Sequence, residues 1–294
     1  MGLGIGTANG ILFSTNVGAA DELLLLDEFP NAQVAYSLRL LRLASENDSV
    51  IRVRRSSDNS ESSFTANEVT DGTLTSFVGA NDGFVKSLFD QSGNNNTATQ
   101  TDFSKQPQIV SGGNLFLENN EPFIKFIDGT HLVVEDDITG EDFGVYSVIK
   151  PDVIDPAEDG WIIYNFTSYG RGLLHDNVFT GRMTLITDTT GTTPIRVRSN
   201  ITTDLTLITG IIDNNSPANG SVTIYKDNQQ GETFVGDVPY QSNTFPQYIG
   251  AGSSTGNEGF DGLIGEIIIY TGSEVMNLDR DSIDNKIMDY YNII

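Results

Sequence analysis

Apolar positions in this chain alternate far more often than they recur at helical spacing. Val222 and Ile224 against Thr223 and Tyr225, and the run Val50-Ile-Arg-Val-Arg-Arg55, put one side of an extended backbone on a core and the other in water. The same reading predicts strands at 84–89, 144–150, 161–166, 183–187, 195–198, 205–213, 247–251 and 260–270, separated by Gly, Asn, Asp and Ser. Two segments break the alternation. Val34, Tyr36, Leu38, Leu40, Leu41 and Leu43 mix periods and predict a short helix with Arg39 and Arg42 on its wet side. Near the end, Asn277 is placed to cap a helix with Asp279 and Asp281 in its first turn and Ile283, Ile287, Tyr291 and Ile294 as its apolar stripe. The expected fold is all-β: a two-sheet jelly-roll sandwich over 32–294 with a short helix at each end, without repeats or an internal linker.

Composition agrees with a single domain. The chain has 294 residues, 38% hydrophobic, with 16 Phe to fill a core and 30 Gly for tight turns. A formal charge of −24 argues against nucleic acid and against an anionic membrane surface, both of which call for clustered Lys and Arg. Such acidity fits solubility or a saline setting, and leaves Ca²⁺ as the one cation worth considering, although no loop spells an EF-hand. No other cofactor is expected. The chain contains no cysteine, so thiolate sites and disulfides are excluded. The histidines, His131 and His175, are too few for a multi-histidine zinc site. No stretch is long and apolar enough to cross a bilayer, and the opening residues lack the basic start and apolar run of a secretory signal.

Residues 1–31 read as a separate arm, Gly-rich at first and then acidic and leucine-rich before Pro30. An arm of this composition needs a neighbouring subunit or its own domain to hold it. Leu3, Ile5, Ile11, Leu12 and Phe13 are the side chains expected to dock.

The closing strands, Val222-Thr-Ile-Tyr-Lys-Asp227, Gln247-Tyr-Ile-Gly-Ala251 and Phe260-Asp-Gly-Leu-Ile-Gly-Glu-Ile-Ile-Ile-Tyr270, resemble those of concanavalin A-like, laminin-G-like jelly rolls. The series Ala35-Tyr-Ser-Leu-Arg39, Ile51-Arg-Val-Arg-Arg-Ser-Ser-Asp-Asn59, Asp90-Gln-Ser-Gly-Asn94, Ala98-Thr-Gln100 and Gln106-Pro107 resembles the amino-terminal half of the arabinofuranosidase B catalytic domain. With its acidic, leucine-rich lead, the same block is similar to the opening of structural proteins of tailed bacteriophages, marine ones in particular. The resemblance implies a sugar-holding or protein-holding jelly roll.

Hydrolysis of a glycoside needs two carboxylates facing one sugar, about 5 to 5.5 Å apart for retention and wider for inversion. In arabinofuranosidases the resemblance places the nucleophile in a central segment rich in Asn and Glu. Here Tyr169-Gly-Arg-Gly-Leu-Leu-His-Asp-Asn177 holds that place without a glutamate, so no catalytic residue is assigned and the chain is expected not to be an enzyme. The candidates for glycan contact are Asp90, Asn94, Trp161 and His175. Asp90 either accepts from a sugar hydroxyl or closes an Asx turn with Gly93 left-handed. Trp161, the only tryptophan, either stacks on a sugar or sits in the core. His175 beside Asp176 either serves as a base or is structural, and Glu266 is expected to face outward or fix a loop.

These features predict a virion protein of a tailed phage, as a decoration, fibre or tail-associated component, assembled with other virion proteins and with copies of itself and able to hold host surface polysaccharide. An arabinofuranosidase-type hydrolase and a bacterial carbohydrate-binding module are the alternatives.

Overall fold

The computed structural model describes residues 23–135, 138, 140–154, 156, 158–165, 171–187, 194–214, 219–238 and 246–294. Its strands are β1 (Val34–Ser37), β2 (Ser49–Arg55), β3 (Glu61–Thr65), β4 (Gly83–Leu88), β5 (Ala98–Thr99), β6 (Gln108–Ser111), β7 (Asn114–Glu118), β8 (Glu121–Phe126), β9 (Leu132–Val134) and β10 (Phe143–Pro151). They continue as β11 (Gly160–Asn165), β12 (Arg171–His175), β13 (Arg182–Thr187), β14 (Ile195–Asn200), β15 (Thr206–Asp213), β16 (Gly220–Lys226), β17 (Gln229–Gly236), β18 (Gln247–Ile249) and β19 (Gly262–Thr271). The helices are α1 (Leu25–Glu28), α2 (Ala66–Thr70), α3 (Thr73–Val78), α4 (Glu274–Asn277) and α5 (Arg280–Tyr291).

All named strand pairs are antiparallel, and they make two layers. One runs β17-β16-β15-β10-β19, with β1 and β8 side by side along the far edge of β19. The other runs β3-β2-β4-β5-β9-β18-β11-β12-β13-β14. β6 links them by pairing with both β4 and β8. Between the layers lies the main core, to which Val145, Ile208, Val222 and Ile267 come from the first sheet and Val53, Leu173, Leu185 and Ile249 from the second. The layers touch where Leu185 packs on Gly210: a Cβ at Gly210 would stand 2.8 Å from the Leu185 side chain. This is the jelly-roll sandwich that the alternation predicts.

A second core covers the outer face of the first sheet. Tyr146, Val148, Ile268 and Tyr270 of β10 and β19 meet Leu25 and Leu26 of α1, Val275 of α4, and Ile283, Ile287 and Tyr291 of α5. Ile294 is left exposed. The cap of α5 is Asp279, whose carboxylate accepts the Ser282 N–H at 3.2 Å. Asn277 instead closes α4 by donating to the Ser273 carbonyl, which corrects the predicted cap.

Another correction concerns 34–43, where β1 is a strand and not a helix. The edge of β19 offers unpaired backbone groups, and Val34 to Ser37 take them opposite Ile269 to Glu266. Arg39 consequently lies inward. Its guanidinium pairs with the Glu266 carboxylate, whose side chain is 1% exposed, so Glu266 does not face outward. Of the arm, 23–31 is described and packs on the sandwich: Leu25 and Leu26 are buried, the Leu26 N–H reaches the Leu41 carbonyl at 2.8 Å, and the Tyr270 hydroxyl donates to the Phe29 carbonyl. Leu3, Ile5, Ile11, Leu12 and Phe13 lie outside the described residues.

Candidate carbohydrate site

The β11–β12 pairing shifts register between Trp161 and Ile163. An extra residue in one strand turns the side chains that follow it to the other face. Trp161 and Tyr164 therefore share the outer side of the second sheet with Leu174 and Ile186, while Ile162 and Leu173 enter the main core. The two rings lie with centroids 3.8 Å apart. Gly172 makes the room, since a Cβ there would stand 2.8 Å from both rings.

Trp161 is 6% exposed, so its ring offers no open platform. What it offers is a hydrogen bond: indole Nε1 donates to Oε2 of the exposed Glu258 at 2.7 Å. The Trp161 backbone N–H reaches the Glu258 carbonyl at 3.1 Å, with Glu258 in a left-handed conformation at φ +56°. Gly252 lies tight against this pair, because any Cβ there would meet the indole and the carboxylate within 2.8 Å. A single carboxylate is thus held beside the start of β11.

Next to it opens a pocket of about 200 Å³, lined by Asp128, Val153, Pro156, Glu158, Gly160, His175, Gly259 and Asp261. Asp261 accepts the Asp128 N–H at 2.7 Å, which ties two loops at the rim. Half-buried Asp159 accepts the Asn177 N–H at 2.9 Å. Burial raises its proton affinity above the ordinary carboxylate value; the Asn177 bond opposes this, and the charges of Asp176 and Glu258 add to the rise while Arg196 works against it. Asp176 shifts the other way. Burial acts to raise it, but hydrogen bonds from Thr184, the Val178 and Phe179 N–H groups and Arg198 override burial and hold it low. Asp176 is fully buried and organises the turn between β12 and β13.

The sequence-derived candidates fall into two separate places. Trp161 and His175 belong to the surroundings of this pocket. Asp90 and Asn94 belong to a clamp on the chain leading into β1. Asp90 accepts N–H bonds from Ala35, Ser92 and Asn96, with Gly93 left-handed at φ +97°, and Asn94 donates to the carbonyls of Ala32 and Gln33. Glu258 and Asp159 were missed from the sequence. Their only signal there is the glycine on the far side of each, Gly259 and Gly160, which lets the two backbones approach at the bridge between Trp161 and Gly259. Among the described residues, no group of three His, Asp or Glu side chains is placed to hold a metal ion.

No protein-family profile matches the sequence, and no curated protein does. Solved structures do match the fold. A GH54 α-L-arabinofuranosidase variant soaked with 4-nitrophenyl α-L-arabinofuranoside gives a TM-score of 0.60 at 14% identity, over 91% of this chain and 64% of that one. The GH54 enzyme soaked with a cyclic sulfate inhibitor gives 0.58 at 14% identity, with the same coverage. An arabinofuranosidase complexed with arabinofuranosyl-α-1,2-xylobiose gives 0.52 at 15% identity, again over 91% and 64%. This chain thus spans 64% of the length of those enzymes. At such identity the likeness is one of fold. It nevertheless corrects the expectation that the chain is not an enzyme, because the architecture it shares across nearly its whole length is that of glycoside hydrolases.

Proposed function

We propose that this protein is a carbohydrate-directed β-sandwich that takes a neutral sugar into the pocket between Asp128, Glu158, His175 and Asp261. One observation carries the reading: carboxylates from three loops converge on a cavity of about 200 Å³, beside a Glu258 fixed by the indole of Trp161. Sugar hydroxyls are donors, and carboxylates are the acceptors that meet them with charge-assisted bonds.

A second reading, cleavage of the glycosidic bond, is favoured by Asp159. A general acid has to hold its proton near neutral pH, and burial together with the neighbouring negative charges moves Asp159 in that direction. Glu258 would be the opposing carboxylate. Titration with L-arabinose, D-xylose and D-galactose tests binding, and release of 4-nitrophenol from its α-L-arabinofuranoside tests cleavage. Failure of all three sugars to bind at millimolar concentration removes the first reading. A rate that Asp159→Asn and Glu258→Gln leave unchanged removes the second.

We also infer the setting, a tailed-phage particle in which the protein assembles with copies of itself and with other virion proteins. The support is the resemblance of the opening block, from the leucine-rich lead through Gln106-Pro107, to phage structural proteins. Antibody labelling of purified particles tests it; unlabelled particles would count against it.

A further inference from the structure

On a chain of net charge −24, a patch with more cations than carboxylates is informative. The outer face of β2, β3 and β4 is one. Arg52 and Arg54 alternate with Ile51 and Val53, which enter the main core. Glu61 stands opposite Arg54 across the ladder, and its carboxylate takes Arg52 Nε at 2.9 Å and Lys86 Nζ at 2.7 Å. Three cations thus share one carboxylate. Asp58, in the turn between β2 and β3, is already held in a fork by Arg55 at 2.6 and 3.1 Å.

Arg54 is the unusual member of this group. Only 5% of it is exposed, and no carboxylate bonds it. Its guanidinium lies between the rings of Phe84 and Phe103, 4.8 and 4.3 Å from their centroids. Nε donates to Gln106 Oε1 at 2.7 Å and Nη1 to Asn59 Oδ1 at 2.8 Å, and Gln106 is fixed in turn by donating to the Gln100 carbonyl. Nη2 has no partner among the described residues and is not sealed from solvent. Burial lowers the proton affinity of Arg54, and the charge of Glu61 opposes this. A cation buried against neutral amides costs stability that an apolar residue would not. What the arrangement provides is a charged donor fixed in advance, so little ordering remains to be done on binding.

We propose that this face binds an acidic polysaccharide, with one uronate carboxylate on Nη2 of Arg54 and others on Arg52 and Lys86. Guanidinium and ammonium donors meet carboxylates in charge-assisted bonds, stronger than those between neutral groups. Cations spread over two adjacent strands suit a ligand that repeats its charge. Asn59 Nδ2 and the Ser63 hydroxyl, opposite Arg52, are exposed and have no partner among the described residues, which suits a ligand that also carries hydroxyls. A run of acidic amino acids repeats its charge without hydroxyls. The face shares no residue with the sugar pocket, whose carboxylates repel uronates, so either site can fail alone.

The test is calorimetric titration of the whole chain with hexagalacturonate and with its full methyl ester, which keeps the rings and removes the charge. The acid is expected to bind about tenfold more tightly or better, and to weaken as salt is added. Arg54→Gln and the double variant Arg52→Gln/Lys86→Gln should each bring the two ligands to within about twofold. The double variant changes side chains on the wet face only, so it decides the matter if Arg54→Gln does not fold. Equal affinity for acid and ester in the natural protein, a preference that survives in either folded variant, or binding of neither ligand overturns the inference. Hexaglutamate binding as tightly as hexagalacturonate also overturns it, in favour of an acidic protein partner.

Discussion

The Arg39 guanidinium grips the Glu266 carboxylate in a fork, Nε to Oε2 at 2.8 Å and Nη2 to Oε1 at 2.9 Å. Burial works to lower the proton affinity of Arg39, and the charge and hydrogen bonds of Glu266 reverse that into a rise. Ser37 donates to the same carboxylate at 2.8 Å, and Tyr290 of α5 lies under the guanidinium at 4.2 Å. One ion pair thus joins β1, β19 and the final helix.

Removing either partner leaves the other buried without its counter-charge. Arg39→Ala and Glu266→Gln should each lower unfolding free energy by about 3 to 5 kcal/mol in urea titration. A loss below about 1 kcal/mol would mean that water reaches the pair.

Asp284 predicts a pH dependence of its own. Burial lifts its carboxyl to about 6, against the opposing effects of the Thr209 hydroxyl and of Arg280. The folded chain therefore holds this proton more tightly than the unfolded chain does. The associated stability is present below pH 4 or so and is lost as pH rises towards 6, a contribution of roughly 2 to 3 kcal/mol. Asp284→Asn should gain on the natural protein between pH 4 and 7 when unfolding is followed at both; a constant difference would contradict the assignment.

Because Trp161 is the only tryptophan, its fluorescence reports on the ring pair and the Glu258 bond beside the pocket. Occupation of the pocket should shift or quench the emission. Glu258→Gln, which trades the charged acceptor of the indole N–H for a neutral one, should alter the spectrum without ligand. Gly172→Ala should cost about 1 to 3 kcal/mol by forcing the Trp161 and Tyr164 rings apart. Spectra identical to the natural protein in both variants would show that the ring pair is not arranged as described.

The leading segment gives a contrast between two truncations. Removal of 1–22, which leaves α1 in place, is the reference. Removal of 1–30 takes away buried Leu25 and Leu26 and should cost about 4 kcal/mol or more by the usual values for emptied leucine sites. Equal melting temperatures for the two would show that α1 adds nothing to the second core.

Much of the fold is legible because apolar and polar residue types still alternate along strands such as Ser49–Arg55, Arg182–Thr187 and Gly220–Lys226, which stand where the pattern put them. β1 was misread since Val34–Ser37 is buried on both faces and loses the alternation that marks a half-wet strand. The helices α2 and α3 went unseen because they are only 5 and 6 residues long, with too few turns to show a period. Trp161 and His175 were visible by residue type. Glu258 and Asp159 were not, as their roles come from a bulge and a loop bridge that no local pattern encodes.

With α1, α4 and α5 sealing one broad side of the sandwich, the molecule is chemically one-sided. The proposed sugar pocket lies in the opposite layer, at the end of β11 and β12 where Gly160 and His175 stand. On the particle proposed above, the helical side is the face that anchors the protein if the pocket is to point outward. Orientation on the scaffold, more than affinity of the isolated chain, then decides what the pocket can reach.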